Sequence, residues 1–251
     1  MRSSLSLASL SLALGATAEP WSNGRKYGST FYSGPTSNAY ITKATYSVVP
    51  PDTPCNYHTE LPQGELSLWV GVQDDPTYRD LVDMNLVQPL VNWAPDQSLT
   101  GCDTDNEHWC VAASTYTPSG QETQTYQVIP TGSQLDFEIS VNSETTKIDQ
   151  KVWISGNLVS SKSDSAGMEP AVFYGFNECV DHSCGTLKAY SWSNITVHLS
   201  DADENYGNTF SLFNAASDGP TTSDGGKTWY IDSIRFAKDY LYEDDSVQEC
   251  Y

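Results

Sequence analysis

The feature that most limits this chain's fold is a two-residue hydrophobic period. In Leu66–Val72, the residues Leu66, Leu68, Val70 and Val72 alternate with Ser67, Trp69 and Gly71. Successive side chains of an extended strand point to opposite faces, so this pattern predicts a strand with one face for a core and one for another purpose. The same alternation returns in Asn38–Val49, Gln134–Ser143 and Leu187–Leu199. Further short strands are predicted at Trp21–Tyr32, Met84–Trp93, Glu107–Thr117, Lys147–Ile154, Asn157–Ser161, Ala171–Tyr174, Phe210–Asn214 and Thr228–Lys238. No segment holds a helical period beyond a turn or two; Asp201–Tyr206 is a candidate short helix. About a dozen short strands separated by Gly, Pro, Asn and Asp turns predict an all-β sandwich or jelly roll.

The N-terminus supplies the cellular context. Arg2, the apolar run Leu5–Leu14 and Ala16-Thr17-Ala18 have the layout of a secretory signal peptide over residues 1–18. A single β-sandwich domain is expected over 19–251, in the secretory pathway and secreted. The apolar run is too short to span a bilayer, and no other run is long enough. A net charge of -20 makes nucleic acid and anionic lipid surfaces poor partners. The six cysteines, Cys55, Cys102, Cys110, Cys179, Cys184 and Cys250, suit disulfides in an exported chain. Pairing Cys102 with Cys110 and Cys179 with Cys184 would close short loops and leave Cys55 with Cys250, although six cysteines allow 15 pairings. There is no C-x-x-C pair and no histidine spacing that suggests a metal, and no cofactor is expected. Asn194-Ile195-Thr196 is a glycosylation sequon.

One amide stands out. Gln88 lies among aliphatic residues in Met84–Trp93, and a buried amide needs partners or a purpose. The succession LWVGVQDD, NLVQPLVNW, EHWCVAAST and PTGSQLDFEISVNS resembles the core strands of the glutamic endopeptidases, the eqolisins, over Thr42–Ser143, and more loosely over Cys184–Leu199. The resemblance implies a concanavalin-like sandwich of two curved antiparallel sheets with the substrate cleft on the concave face. Position by position, it implies that the cleft tryptophan is kept as Trp69 and the catalytic glutamine as Gln88. Two cleft aspartates become Gln73 and Asn92. On the next strand an aspartate is matched by Glu107 and a tryptophan by Trp109, but a glutamate becomes Val111 and a tyrosine Ala113. The catalytic glutamate falls near Asn194, or at Trp192 in the other register. An eqolisin needs a carboxylate to activate water while the glutamine stabilises the oxyanion, and this pattern leaves the glutamine alone.

A mostly neutral, aromatic cleft suits a small hydrophobic substrate better than water activation. ELSLWVGVQDDPTYRD, NSETTKIDQKVW and CGTLKAYSW also resemble secreted fungal proteins that include the hetero-Diels-Alderases of tropolone–sesquiterpenoid pathways. That likeness implies a cyclase joining a tropolone quinone methide to a humulene-type alkene. Gln88 would be the hydrogen-bond donor, Tyr190 a helper and Glu107 an acid for dehydration. Trp69, Gln73, Asn92, Trp109, Val111, Ala113 and Trp192 would line the substrate site. Two alternatives remain: a carbohydrate-binding or carbohydrate-active sandwich, and an acid-active glutamic endopeptidase. Asn194 carries a tension, because Tyr190, Trp192 and Asn194 share one face of a regular strand. A glycosylated Asn194 requires a rim position or a bulge.

Overall fold

The computed structural model describes residues 24–57, 64–78, 80 and 83–250; the predicted signal peptide lies outside them. Nineteen strands are present among the described residues. In order they are β1 (Arg25–Ser33), β2 (Ile41–Val48), β3 (Glu65–Gln73), β4 (Leu86–Val87), β5 (Leu90–Trp93), β6 (Trp109–Ala112), β7 (Ser114–Thr117), β8 (Gly120–Thr123), β9 (Gln127–Ile129), β10 (Leu135–Val141), β11 (Ile148–Ile154), β12 (Asn157–Asp164), β13 (Val172–Val180), β14 (Gly185–Leu187), β15 (Tyr190–Leu199), β16 (Ser211–Phe213), β17 (Ala215–Ser217), β18 (Thr228–Phe236) and β19 (Asp239–Leu241).

They form a jelly-roll sandwich of antiparallel sheets. One sheet runs β16-β1-β13-β3-β4-β7-β8, with β5, β6 and β9 continuing the β4 and β7 rows. The other large sheet runs β12-β11-β10-β2-β15-β18-β17, and β14 pairs with β19 in a separate two-stranded sheet. Between them lies the main core, where Tyr46 stacks on Phe137 at 4.9 Å and meets Trp192 edge-on at 5.6 Å. Leu66, Leu68, Val70 and Val72 enter this core, as their alternation requires. A second, smaller apolar cluster of Trp69, Leu86, Leu90, Val172 and Tyr174 sits on the opposite face of the ten-stranded sheet.

Two predicted strands are each split by a local cause. Met84–Trp93 becomes β4 and β5. The register Val72↔Val87 and Trp69↔Leu90 runs straight through the gap, so the ladder is interrupted without slipping. Pro89 has no N–H to donate, which explains the interruption. Glu107–Thr117 becomes β6 and β7, parted at Ala113. There the opposite sheet supplies the missing partners: Ala113 N–H donates to Ser160 Oγ at 3.0 Å, and Ser114 N–H to Gln150 Oε1 at 2.9 Å. Gln150 Nε2 returns a bond to the Ser114 carbonyl at 2.9 Å, so one buried amide clamps the two sheets together. The predicted helix at Asp201–Tyr206 is displaced: the single 3-10 turn there spans Tyr206–Thr209.

Three disulfides join Cys55 to Cys250, Cys102 to Cys110 and Cys179 to Cys184. The first ties the end of the chain to an early loop, 195 residues apart in sequence. Among the described residues, no helix is long and apolar enough to cross a membrane.

Candidate binding cleft

The face of the ten-stranded sheet turned away from the core holds a cavity of about 680 Å³. Its floor follows from strand parity. On β3 the odd residues Glu65, Ser67, Trp69, Gly71 and Gln73 face outward because Leu66 to Val72 face in. Register then assigns their neighbours: Trp69 stands beside Leu90, Gln73 beside Leu86, and Leu86 beside Tyr116. On the other side β13 contributes Tyr174, Phe176 and Glu178.

The wall is aromatic. Trp69 packs on Phe176 at 5.2 Å and on Tyr174 at 5.4 Å between ring centres, and Tyr27 of β1 meets Phe176 at 5.4 Å. Tilted and edge-to-face arrangements at these separations are the favoured geometry of aromatic pairs. Burial raises the hydroxyl pKa of Tyr174, and raises that of Tyr32, packed 5.8 Å away, to about 12. Both are therefore neutral donors at working pH.

Gln88 lines the cleft, and Gly71 makes its position possible. A Cβ on Gly71 would lie 2.6 Å from the Val87 carbonyl and 2.8 Å from Gln88 Cβ. Gln88 is buried, and its Oε1 has no hydrogen-bond partner among the described residues. Its Nε2 makes a long 3.4 Å bond to Gln121 Oε1, and Gln121 Nε2 in turn donates to Ser114 Oγ at 2.5 Å. Ser114 and Thr123 share a 2.8 Å hydroxyl contact in which either can donate. Hydroxyls reverse roles and amides rotate, so the whole chain can run in either direction. Gln88 thus offers an acceptor as it stands, and a donor when the chain is reversed.

Gln73 is different. It accepts from Tyr174 O–H at 2.7 Å and donates to the Met84 carbonyl at 3.3 Å, so its amide is structural and closes one end of the cleft. At the far end Glu65 and Glu178 lie diagonally across the β3–β13 pair, since Glu65 faces Val180 and Glu178 faces Ser67. Glu178 accepts from Trp69 Nε1 at 3.0 Å and pairs with Arg25 at 3.2 Å. Glu65 accepts from Asn92 Nδ2. Burial, followed by the nearby charges of Asp181 and Glu178, raises the carboxyl pKa of Glu65.

Several positions singled out from sequence fall elsewhere. Asn92 is fully buried beneath this end of the cleft, bonded to Ser67 Oγ at 2.8 Å and Tyr126 O–H at 2.5 Å, so it supports the surface without reaching it. Trp109, Val111 and Ala113 belong to the core, not the cleft. The cleft face here carries Ser114 and Tyr116 instead, because a one-residue slip exchanges the two faces of a strand. Glu107 is exposed and lines a separate depression of about 480 Å³ with Pro50, Pro51 and Lys188. Tyr190 and Trp192 lie between the sheets, where Tyr190 O–H donates to Asn177 Oδ1 at 2.5 Å. Asn194 is exposed, with φ 53°, within a bulge between Ser193 and Thr196. The bulge switches the parity, so Trp192 points in, Asn194 out and Ile195 in, which removes the tension in the sequence.

The late cleft strand is β13, not the Leu187–Leu199 segment expected to carry it. Tyr174, Phe176 and Glu178 therefore lie outside the site the sequence indicates, and Glu65 of β3 joins them through its place beside Glu178. The alternation Tyr174-x-Phe176-x-Glu178 was the available signal, but Gly175 and Asn177 interrupt its apolar partner face.

No protein-family model matches the sequence, and no curated protein matches it. Among solved structures, the chain is similar to a Bacillus licheniformis β-glucanase (11% identity, TM-score 0.35, covering 88% of this chain and 82% of that one). It is also similar to a glycoside hydrolase family 16 endo-glucanase from Bacteroides ovatus (14%, TM-score 0.37, covering 87% and 84%). A third is the basic winged bean lectin with Tn-antigen (11%, TM-score 0.33, covering 90% and 91%). Likeness at this level carries no conclusion about what the cleft binds.

Proposed function

We propose that this cleft binds a largely apolar small molecule, and that the protein is a secreted, non-proteolytic cyclase of the hetero-Diels-Alderase kind its sequence resembles. The observation that carries this reading is the aromatic and aliphatic wall of Trp69, Tyr174, Phe176, Leu86 and Leu90 around a buried amide, Gln88, whose Oε1 is unpaired among the described residues. A cavity of about 680 Å³ is of the size that encloses small organic ligands. Cycloaddition requires chiefly that two apolar partners be held together, and placement of that kind lowers a barrier by several kcal/mol. Gln88 orients the oxygen of one partner, accepting from a hydroxyl or, with its amide chain reversed, donating to a carbonyl.

Peptidase chemistry fits less well. Water activation beside Gln88 would need a neighbouring carboxylate. The row containing Gln88 holds Gly71 and Ser114, and the next holds Gln73, Leu86 and Tyr116. Glu178 stands four residues along β13 from Tyr174, roughly 13 Å away at the rise of a strand. The pair Glu65 and Glu178 favours a second reading, a carbohydrate-active cleft, because two carboxylates on one face are what glycoside hydrolysis uses.

Two further expectations go with the proposal. The leader-like residues 1–18 and the three disulfides support passage through the secretory pathway. The exposed bulge at Asn194 supports glycosylation there; digestion with an endoglycosidase should shift the wild-type band and leave Asn194→Gln unmoved.

The test is a tryptophan-fluorescence titration with humulene and, separately, with β-glucan oligosaccharides, followed by product analysis with a hydroxymethyl tropolone and humulene together. Quenching by humulene and a cycloadduct of defined stereochemistry are expected. Saturable binding of the glucans alone, or their cleavage, would replace the first reading with the second.

A further inference from the structure

The buried amide of Gln88 is one end of a relay whose middle member is exposed. Gln121 lies on β8, an edge strand of the ten-stranded sheet, and faces solvent, whereas Gln88 and Ser114 on either side of it are buried. Gln88 Nε2 donates to Gln121 Oε1 at 3.4 Å, and Gln121 Nε2 donates to Ser114 Oγ at 2.5 Å. An amide carries its donor and its acceptor on one rotatable plane. The half of Gln121 turned towards Gln88 therefore decides which half of Gln88 faces the cleft.

The inner end of the relay supports both arrangements. Asn92 Nδ2 donates to the Tyr126 oxygen at 2.5 Å, and Tyr126 is hydrogen-bonded in turn to Thr123. Tyr126 O–H is then the donor to Thr123, and Thr123 O–H the donor to Ser114 Oγ at 2.8 Å. A second lone pair of the Ser114 oxygen accepts from Gln121 Nε2, and the Ser114 hydrogen turns to the Glu122 carbonyl at 3.4 Å. In the other arrangement that hydrogen turns to the Gln121 oxygen instead. Both amides rotate, Gln121 donates to Gln88 Oε1, and Gln88 Nε2 faces the ligand. What is lost is the long contact of Ser114 with Glu122, a weak bond at that length. Asn92, Tyr126 and Thr123 keep their roles, so the reversal is confined to Ser114, Gln121 and Gln88.

We propose that Gln121 determines which oxygen the cleft accepts, and that its reversible amide lets the cleft take a ligand carrying either a ketone or a hydroxyl group beside Gln88. This rests on the reading of the cleft as a site for a largely apolar small molecule. Gln121 acts through Gln88 and is a positioning residue. With Gln121 Oε1 towards Gln88, the ligand meets an acceptor and must donate, as a hydroxyl does. With Gln121 Nε2 towards Gln88, the ligand meets a donor and must accept, as a ketone does. A side chain at this position that only accepts, or only donates, fixes the choice.

The test is the affinity of wild type, Gln121→Glu and Gln121→Lys for cyclododecanone and cyclododecanol, two ligands of one apolar skeleton, by tryptophan-fluorescence titration at neutral pH. An ionised carboxylate only accepts, and an ammonium only donates. Wild type should bind the two ligands within about threefold of each other, because neither leaves a buried group unpaired. Gln121→Glu should prefer the alcohol and Gln121→Lys the ketone, each by about tenfold, because the other ligand sets acceptor against acceptor or donor against donor. A merely structural role cannot move the ratio in opposite directions, since a distorted cleft loses both ligands together. Gln121 is exposed on an edge strand, so the melting temperatures should match that of wild type. A ratio unchanged in either variant, a ratio moving the same way in both, or loss of both ligands together overturns the assignment and leaves the reading of the cleft standing. A wild-type preference of about tenfold for one ligand overturns the reversible relay. Binding of neither ligand by wild type refutes the apolar-ligand reading, and the role of Gln121 goes with it.

Discussion

Gly71→Ala is the substitution that most directly tests how the cleft floor is built. The added methyl would meet the Val87 carbonyl at 2.6 Å, Gln88 Cβ at 2.8 Å and Leu86 Cδ1 at 3.0 Å. The leucine tip can rotate away; the carbonyl cannot. Val87 is fully buried and paired on both sides, to Val72 and to Thr115, so relief requires β4 to shift as a unit. Overpacking of this kind costs about 1–3 kcal/mol. For a chain of this size that is a fall in melting temperature of roughly 2–10 °C. Because the shift moves Gln88 outward, humulene affinity should fall further than stability does, by about tenfold or more. Thermal unfolding by circular dichroism and the fluorescence titration measure the two effects on one sample. A melting temperature within 1 °C of wild type, with unchanged affinity, would show that the Gly71–Gln88 contact does not set the floor.

Gln88→Met removes the unpartnered buried Oε1 at similar volume, so stability should hold or rise by about 1 kcal/mol while ligand binding weakens; a clear loss of stability would mean that Oε1 has a structural partner. Asp239→Asn should destabilise by about 2–4 kcal/mol in urea titrations, because the carboxylate accepts from Ser29 N–H, Ser29 O–H, Asn177 and Asn214, and an amide would bring a donor into that ring of donors. Replacing Cys55 and Cys250 by serine should cost about 2–5 kcal/mol through the freed C-terminal segment, read as the shift in urea midpoint. For Glu65 the folded pKa lies above the unfolded one, so the folded state binds more protons between them; stability is full below the unfolded pKa and declines as pH rises through the folded value. Glu65→Gln should flatten that decline in melting temperature measured above pH 4, and an unchanged slope would count against the raised pKa.

Local periodicity is a property of neighbouring residues, and it shows wherever one face of a strand is uniformly apolar. It places Leu66–Val72 within β3, which runs one residue further at each end, and puts Trp69 on the face away from the core. It also exposed Gln88 as an amide needing a purpose, which the unpaired Oε1 makes concrete. The disulfide pairing suggested by loop length is the one present. Periodicity does not reveal where a strand breaks or bulges. The interruption at Ala113 depends on Gln150 and Ser160 from the opposite sheet, and the parity of Trp109, Val111 and Ala113 went wrong beside it. The bulge at Asn194 likewise reversed the faces of β15.

The sequence by itself determined that this chain pairs strands, which residues of β3 face the core, and that one amide sits among aliphatics, because each of these follows from side-chain alternation along a single segment. Only the tertiary structure decided which strands stand beside β3. That choice sets β13 against it, 101 residues away at the Gln73–Tyr174 contact, and so brings Tyr174, Phe176 and Glu178 to the cleft and Glu65 next to Glu178. Strand order in a sheet is fixed by long-range pairing and by the shape of the shared core, neither of which any local pattern encodes.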